Sequence, residues 1–302
     1  MSEIRSSIGG QAVIEGVMMR SPTHYATAVR TPQGRIVINR VPFKSLIRRL
    51  RFLNIPVIRG AITLVETLFI GVQSLTYSAS QAVEEDASQK PKSKLGSSMA
   101  LTGSVAMALA MGLLLFFYLP LVFTDLLGVK SGAMFNLVDG VFRLTIFLLY
   151  VVVISRWKEM RRIFQYHGAE HMTIFAYESG EELTTQHARR QPRLHPRCGT
   201  SFLIVVMLTS IFVFMFLGRP ESVGDRLLRF AMIPLIAGFS FEFIRISSRR
   251  RFERILKPAI WPGLTLQKIT TQPPTDDMLE VAIAALEACL DHQAVKLHIP
   301  AS

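Results

Sequence analysis

Two long stretches without a charged residue constrain this chain more than any other feature. No charged side chain occurs in the 30 residues from Leu95 to Thr124, or in the 21 residues from Cys198 to Gly218. A transmembrane helix needs about 20 consecutive apolar residues to cross about 30 Å of hydrocarbon. Each stretch therefore predicts a membrane-spanning helix, and the chain is predicted to be an α-helical integral membrane protein.

Two weaker apolar windows bring the predicted number of transmembrane helices to about four. Val141 to Ser155 is interrupted only by Arg143, which can extend its charge to the membrane surface while its stem stays in lipid. Leu227 to Ile246 has charges near both ends and a purely apolar centre from Phe230 to Phe241. The composition agrees, because half of the 302 residues are hydrophobic and only 19% are charged.

A fifth window, Ala61 to Val83, is long enough to cross a membrane but has an amphipathic pattern. Its only charged residue is Glu66. Apolar residues recur at spacings of three and four, and polar residues occupy most of the other positions, as in a helix with one apolar face. We therefore predict an interfacial or re-entrant helix. The apolar positions are Ile62, Val65, Phe69, Val72 and Leu75.

The distribution of basic residues predicts the orientation. The loop between the second and third predicted spans carries eight Lys and Arg residues, whereas the other two loops carry Lys130 and the pair Arg219 and Arg226. Because Lys and Arg concentrate on the cytoplasmic side, residues 156 to 197 and both termini are predicted to be cytoplasmic. Residues 125 to 139 and 219 to 226 are then outside.

Charge and cysteine content limit the partners and the compartment. The formal net charge of +12 suits an anionic lipid surface or nucleic acid. Basic clusters such as Arg48 to Arg51 and Arg249 to Arg254 lie near apolar segments, so we expect them to contact anionic headgroups rather than nucleic acid. Two cysteines fit a reducing compartment. The first 50 residues lack the apolar core of a secretory signal, so the N-terminus is expected to stay in the cytoplasm.

The remaining segments predict a small α+β cytoplasmic portion. His24 to Arg30 and Arg35 to Val41 read as a β-hairpin around a glycine-containing turn. Near the C-terminus, Asp277 and Glu280 have capping-box spacing, and an apolar stripe follows that we expect to pack on a partner surface, with another protein as a candidate partner. The stripe consists of Leu279, Ile283, Leu286 and Leu290.

These features divide the chain into seven predicted segments. They are a cytoplasmic segment with a hairpin (1–55), the interfacial or re-entrant helix (56–83), a linker (84–94), a first transmembrane hairpin (95–155), a cytoplasmic loop (156–197), a second transmembrane hairpin (198–247), and a basic tail with a C-terminal helix (248–302).

Candidate chemistry concentrates in the loop at 156 to 197. His167, Glu170 and His171 form the pattern H-x-x-E-H, and on a helix the two histidines lie on one face. In inverted zincins this pattern binds zinc through the histidines and uses the glutamate as general base. The alternative is a set of interfacial polar residues that bind water and headgroups.

Three further residues are candidate ligands. His195 and Cys198 lie three positions apart at the start of the third predicted span, and zinc accepts both residue types. Glu242 is an ionisable residue within a predicted span, where charge is rare and often functional; the alternative reading is that Arg245, one turn later, simply neutralises it. A site of three histidines and one cysteine would be closed to substrate, which is an objection to catalysis.

The segment from Gly9 to Arg20 brings Gln11, Glu15 and Arg20 into an otherwise apolar stretch. These side chains either complete the site or form a structural knot in which Glu15 pairs with a basic residue, and the second reading is favoured. Glu66, Arg197 and Arg245 complete the set of candidate polar residues.

Four motifs resemble those of the bacterial YqhQ family, domain of unknown function 1385. They are GGQAVIEGVMMR at 9–20, HGAEH at 167–171, HPRCGTSF at 195–202, and PGLTLQKITT at 262–271 followed by EVAIAAL at 280–286. The resemblance implies a protein of the bacterial cytoplasmic membrane that is predicted to be a metal-dependent enzyme. Gln272, Pro273 and Pro274 stand where a Glu-Pro pair is expected, so no ligand role is transferred there.

Two classes of function follow. The first is a metal-dependent membrane enzyme of hydrolase type, with zinc or another divalent transition metal on His167 and His171, Glu170 as base, and coordination completed by His195, Cys198 or Glu242. The second is a non-catalytic membrane factor or scaffold, in which the same residues form a structural metal site or a polar knot. Transport is less favoured, because the spans carry few charges and show no repeated halves.

Overall fold

The computed structural model describes residues 8–82, 103, 106–247 and 250–290. It is mostly helical, with one small sheet, and it divides into two compact units. The first unit comprises Met1–Glu84, Ser155–Phe202 and Ala237–Ser302, and the second comprises Glu85–Ile154 and Leu203–Ile236. The predicted linker at 84–94 and most of the first eleven residues of the predicted span at 95–124 lie outside the described residues.

The sheet is an antiparallel meander in the order β1-β2-β3-β4. The strands are β1 (Gly9–Val13), β2 (Gly16–Arg20), β3 (His24–Arg30) and β4 (Ile36–Pro42). The predicted hairpin is confirmed as β3 and β4, with Gly34 at φ +82° in the connecting turn. The hairpin of β1 and β2 was not predicted, because its two-residue turn is Ile14-Glu15, without the glycine or asparagine that such turns favour. Glu15 adopts φ +52° there.

The helices occupy most of the rest of the chain. They are α1 (Leu46–Arg49), α2 (Ile58–Ala82), α3 (Ala106–Leu126), α4 (Gly132–Ile154), α5 (Lys158–Ser179), α6 (Thr185–Arg189), α7 (Gly199–Phe216), α8 (Val223–Ser247), α9 (Arg250–Thr270) and α10 (Asp276–Cys289). A short 3-10 helix, Arg51–Leu53, follows α1.

Five of the described helices, α2, α3, α4, α7 and α8, are long and apolar enough to cross a membrane. Four of them coincide with the four predicted spans. The fifth, α2, is the helix predicted to be interfacial or re-entrant, and it meets the same criteria of length and composition. These criteria identify the chain as a membrane protein, and the packing of α2 gives further information on its position.

One face of the sheet and the helices α5 and α10 form the main core of the first unit. Alternate strand residues such as Val17 and Ala28 point into this core, as the period of two in a strand requires. The C-terminal stripe is buried here, and Leu279 and Leu286 are fully enclosed. The surface on which the stripe packs therefore belongs to the same chain, and burying it requires no second protein.

The opposite face of the sheet is covered by α2. Three side-chain contacts follow the helix: Arg20 Nη2 to Glu66 Oε2 at 3.1 Å, Tyr25 Oη to Gln73 Oε1 at 2.8 Å, and Thr27 Oγ1 to Ser74 Oγ at 3.0 Å. The other side of α2 exposes large apolar side chains. They are Val65, Leu68, Phe69, Val72 and Leu75.

Candidate metal centre

Helix α5 carries the H-x-x-E-H pattern, and the glycine after its first histidine has a specific packing role. A Cβ atom at Gly168 would overlap the carbonyl oxygen of Gln272, in the segment that follows α9. The amide of Gln272 donates to the carbonyl of Phe164 at 2.8 Å, which fixes that segment against α5. Glycine lowers helix propensity, but here it permits this close approach.

The two histidines of α5 are oriented by backbone carbonyl groups. His167 Nδ1 lies 2.7 Å from the carbonyl oxygen of Thr270, and His171 Nδ1 bonds the carbonyl oxygen of Arg193. A carbonyl oxygen only accepts hydrogen bonds, so each Nδ1 carries the proton and each Nε2 carries a lone pair. This arrangement is the usual one for metal-binding histidines, in which the second nitrogen donates to a carbonyl or carboxylate.

Cys198, directly before α7, completes a group of three possible ligands. Its sulfur lies 3.2 Å from His167 Nε2, and the ligand atoms of His167, His171 and Cys198 all lie within 4.8 Å of one another. In tetrahedral zinc sites, bond lengths of about 2.0 Å to nitrogen and about 2.3 Å to sulfur separate these atoms by roughly 3.5 Å. The three residues therefore fit one such ion.

The surroundings favour the protonation states in which these residues bind metals. Burial lowers the pKa of His171, which favours the neutral imidazole. Burial raises the pKa of Cys198, but hydrogen bonds and charge interactions with His171 and Thr200 outweigh it, and the net pKa lies below its usual value. Neutral imidazole and thiolate are the forms that coordinate a metal.

Glu170 is buried beside this group. Its Oε2 atom has no hydrogen-bond partner among the described residues, and burial is the main reason that its pKa is raised to about 8. Charge interactions with His167 and Cys198 also act on it. Gly10 of β1 leaves room for the Glu170 side chain, because a Cβ atom at Gly10 would lie only 2.9 Å from the carboxyl carbon of Glu170. A buried carboxyl with a pKa close to neutrality is a candidate general acid or base.

His195 lies beside the group of three but is turned away from it. Its Nδ1 accepts a hydrogen bond from the amide of Arg197 at 3.3 Å, and its Nε2 lies 3.7 Å from Glu178 Oε2. The side-chain amide of Gln267 brackets its backbone, bonding the amide nitrogen and the carbonyl oxygen of His195, each at 2.8 Å. The ring centroids of His171 and His195 are 5.6 Å apart.

The predicted site residues Glu242, Arg245 and Arg197 take part in ion pairs. Both carboxylate oxygens of Glu242 bond Arg59 at 2.5 Å, and Arg245 lies 4.0 Å away. Arg197 forms an ion pair with Glu178.

Polar residues of the first motif join the sheet to helices. Glu15 forms a bidentate ion pair with Arg162 of α5, and Arg20 forms an ion pair with Glu66 of α2. Gln11 packs against α2 at a glycine, Gly71. Their contacts hold α5 and α2 on the sheet, and Gly10 is the part of the motif that contacts the site.

Several residues that shape the site were not singled out from the sequence. Gln267 and Glu178 fix His195, and the carbonyls of Thr270 and Arg193 fix the two ligand histidines. Gln267 lies within the motif PGLTLQKITT, which was a usable signal for that residue. Backbone carbonyl groups leave no signal in a sequence, so the contacts of His167 with Thr270 and of His171 with Arg193 could be found only from the folded structure.

Comparisons with known proteins agree with the motifs. The model of the family described as "Protein of unknown function (DUF1385)" matches residues 55–292. The "Uncharacterized protein YqhQ" of Bacillus subtilis (strain 168) is 32% identical over 307 residues, covering 97% of this chain and 95% of that protein. No solved structure matches the chain. Neither matched description gives an activity or a metal, so the chemistry rests on the geometry of the site. By both matches, the chain belongs to the DUF1385 family.

Proposed function

We propose that this protein is a metal-dependent membrane enzyme of the hydrolase class. One zinc ion, or a similar divalent transition-metal ion, binds His167, His171 and Cys198. The observation that carries the proposal is the convergence of two lone-pair-bearing Nε2 atoms and a thiol within 4.8 Å, each histidine held by a backbone carbonyl.

The number of ligands favours catalysis over a structural role. Structural zinc sites are closed by four protein ligands, whereas catalytic sites use three and keep one position for water or substrate. Among the described residues, this group contains three candidate ligands, and His195 directs its ring nitrogens to Arg197 and Glu178. The orientation of His195 supports a site with an open fourth position.

In the proposed hydrolysis, the metal ion and Glu170 have different roles. A divalent ion at such a site acts as a Lewis acid that polarises the scissile group and activates water. In its ionised form, Glu170 would accept the proton from the attacking water and return it to the leaving group. That form is favoured beside a divalent cation, because positive charge lowers the pKa of this carboxyl, which is raised to about 8 mainly by burial. The buried walls around Glu170 exclude bulk solvent, which strengthens electrostatic interactions within the site.

A small zinc-binding probe tests whether the site is open. Protein loaded with cobalt in place of zinc is titrated with acetohydroxamate, and we expect the visible cobalt spectrum to change saturably, because an open position admits the probe. Cys198→Ser should alter the starting spectrum by removing the thiolate ligand. A cobalt spectrum that acetohydroxamate leaves unchanged would support a closed structural site and the scaffold alternative.

We further propose that α2 lies in the cytoplasmic interface of the membrane. Its contacts with the sheet run from Glu66 to Ser74, and polar loops of a sheet are not tolerated in the hydrocarbon. The opposite side of α2 exposes apolar side chains such as Phe69, as an interfacial helix does. Four helices then cross the membrane, and both termini and the metal centre are on the cytoplasmic side.

Cysteine labelling tests this orientation in intact cells. A cysteine at Ser222, between α7 and α8, is expected to react with a membrane-impermeant maleimide, because that loop is outside. A cysteine at Ser179, at the end of α5, is expected to react only after the membrane is permeabilised. The reverse pattern would invert the topology and remove the cytoplasmic placement of the metal centre.

A further inference from the structure

The second unit contains a buried cluster of charged side chains in helices that the membrane assignment places in lipid. Asp139 and Arg143 of α4 form an ion pair at 2.8 Å, one helical turn apart. Arg229 of α8 interacts electrostatically with both. Asp139 and Arg229 are each only 2% exposed. The prediction from sequence that Arg143 extends to the membrane surface is not met, because this side chain bonds Asp139 of its own helix.

The cluster holds more positive than negative charge. The guanidinium carbons of Arg143 and Arg229 lie 5.9 Å and 5.1 Å from the centroid of the same ring, Phe214. Asp139 is the carboxylate with which both interact. Asp225, which also interacts with Arg229, is partly exposed to solvent. The buried groups alone are therefore two guanidinium groups and one carboxylate, which leaves a surplus positive charge in the interior, and such charge is costly in a medium of low dielectric constant.

Several polar atoms of this cluster have no hydrogen-bond partner among the described residues. Two are donors, Arg229 Nη1 and Arg143 Nε, and two are acceptors, Asp139 Oδ1 and Asn136 Oδ1. The second nitrogen of Arg229 donates to the carbonyl of Gly218 at 2.5 Å, so this arginine is held in place with one free donor group. Buried polar groups are nearly always paired, which indicates that the cluster binds something.

We propose that this cluster binds a phosphate group together with a hydroxyl group of the same molecule. The phosphate oxygens accept from Arg229 and Arg143 and neutralise the surplus charge, and the hydroxyl donates to Asp139 or Asn136. Two sources have this chemistry: the headgroup of an anionic phospholipid such as phosphatidylglycerol, and inorganic phosphate.

The depth of the cluster suits a headgroup or an ion that enters from the end of the helices. Asp139 is seven residues after Gly132, the first residue of α4, which corresponds to about 10 Å along the helix. Arg229 is six residues after Val223, the first residue of α8. This end carries the loops predicted to be outside, so the site is separate from the basic clusters expected to bind cytoplasmic headgroups.

Binding measurements with full-length protein in an uncharged detergent test the proposal. Phosphatidylglycerol, phosphatidylcholine and inorganic phosphate are each titrated by calorimetry. Saturable binding of phosphatidylglycerol but not of phosphatidylcholine supports a lipid site, and saturable binding of inorganic phosphate supports a soluble anion. Arg229→Gln is expected to weaken binding at least about tenfold, since it removes a charge-assisted donor. Arg219→Gln, at the same end but paired with Asp125, is the matched control and should stay within about twofold.

A second variant keeps the proposal falsifiable if Arg229→Gln does not fold. Asp139→Asn removes the buried carboxylate that competes for the guanidinium groups and keeps a side-chain oxygen that can accept from the hydroxyl, so it should bind the same phosphate probe several times more tightly. Failure of wild type to bind any of the probes saturably, or equal or weaker binding by Asp139→Asn, would overturn the proposal.

Discussion

Replacing His171 by alanine is expected to reduce bound zinc from about one ion per chain to less than about a tenth, because a three-ligand site cannot hold its metal tightly with two. His167→Ala should have the same effect. Elemental analysis of protein purified without chelator measures both. His187→Ala is the matched control, since that histidine lies on α6 and bonds the carbonyl of Glu182.

The same assay of bound zinc, applied to Glu170→Gln, tells whether Glu170 is a metal ligand or a general base. The substitution preserves the shape of the side chain, and Glu170 is proposed to accept a proton rather than bind the ion, so zinc should be retained at about one per chain. Loss of zinc in Glu170→Gln would make Glu170 a ligand and exclude the inverted-zincin arrangement.

Gly168→Ala is expected to lower the free energy of unfolding by about 1–3 kcal/mol, as overpacking of a close contact does. The new Cβ atom would meet the carbonyl oxygen of Gln272 and displace the segment that carries Thr270, the partner of His167. Zinc affinity should therefore fall with stability. Denaturant titration in detergent and zinc competition measure the two effects.

Gly112→Ala is the control for this prediction. Gly112 also lies in a helix, but a Cβ atom there meets nothing within 4 Å, so the substitution should be neutral or slightly stabilising. Equal stability of Gly168→Ala and wild type would contradict the close packing of α5 against Gln272.

Much of the fold follows from local patterns in the sequence. Uncharged windows identify α3 and α7, because hydrocarbon excludes charge over the full length of a span. The turn glycine Gly34 identifies the hairpin of β3 and β4. The helix α2 is harder, because its length suits a span while its small and polar face suits the sheet, and only the packing of Ser74 and Glu66 shows which surface it covers.

The candidate site, like the fold, could be predicted only where it depends on local sequence. The spacing of His167 and His171 predicts that they share a face of α5, since helical geometry is local. The orientation of His195 was not predictable, because it depends on Gln267, which is 72 residues further along the chain. The pairing of Glu242 with Arg59 spans 183 residues and was hidden by the nearer Arg245. The proximity of Asp139 and Arg229 was missed because Asp139 was assigned to the loop at 125–139, whereas it lies in α4, and because Arg229 is distant from it along the chain.

X-ray absorption at the zinc edge of the wild-type protein tests the central claim most directly, because it counts the ligand atoms around the ion. The proposed site predicts one sulfur at about 2.3 Å and two imidazole nitrogens with one further light atom at about 2.0 Å. A first shell of one sulfur and three imidazoles would mean that His195 closes the site and would contradict the enzyme proposal. A spectrum without sulfur, or protein without zinc or another transition metal, would contradict the site itself.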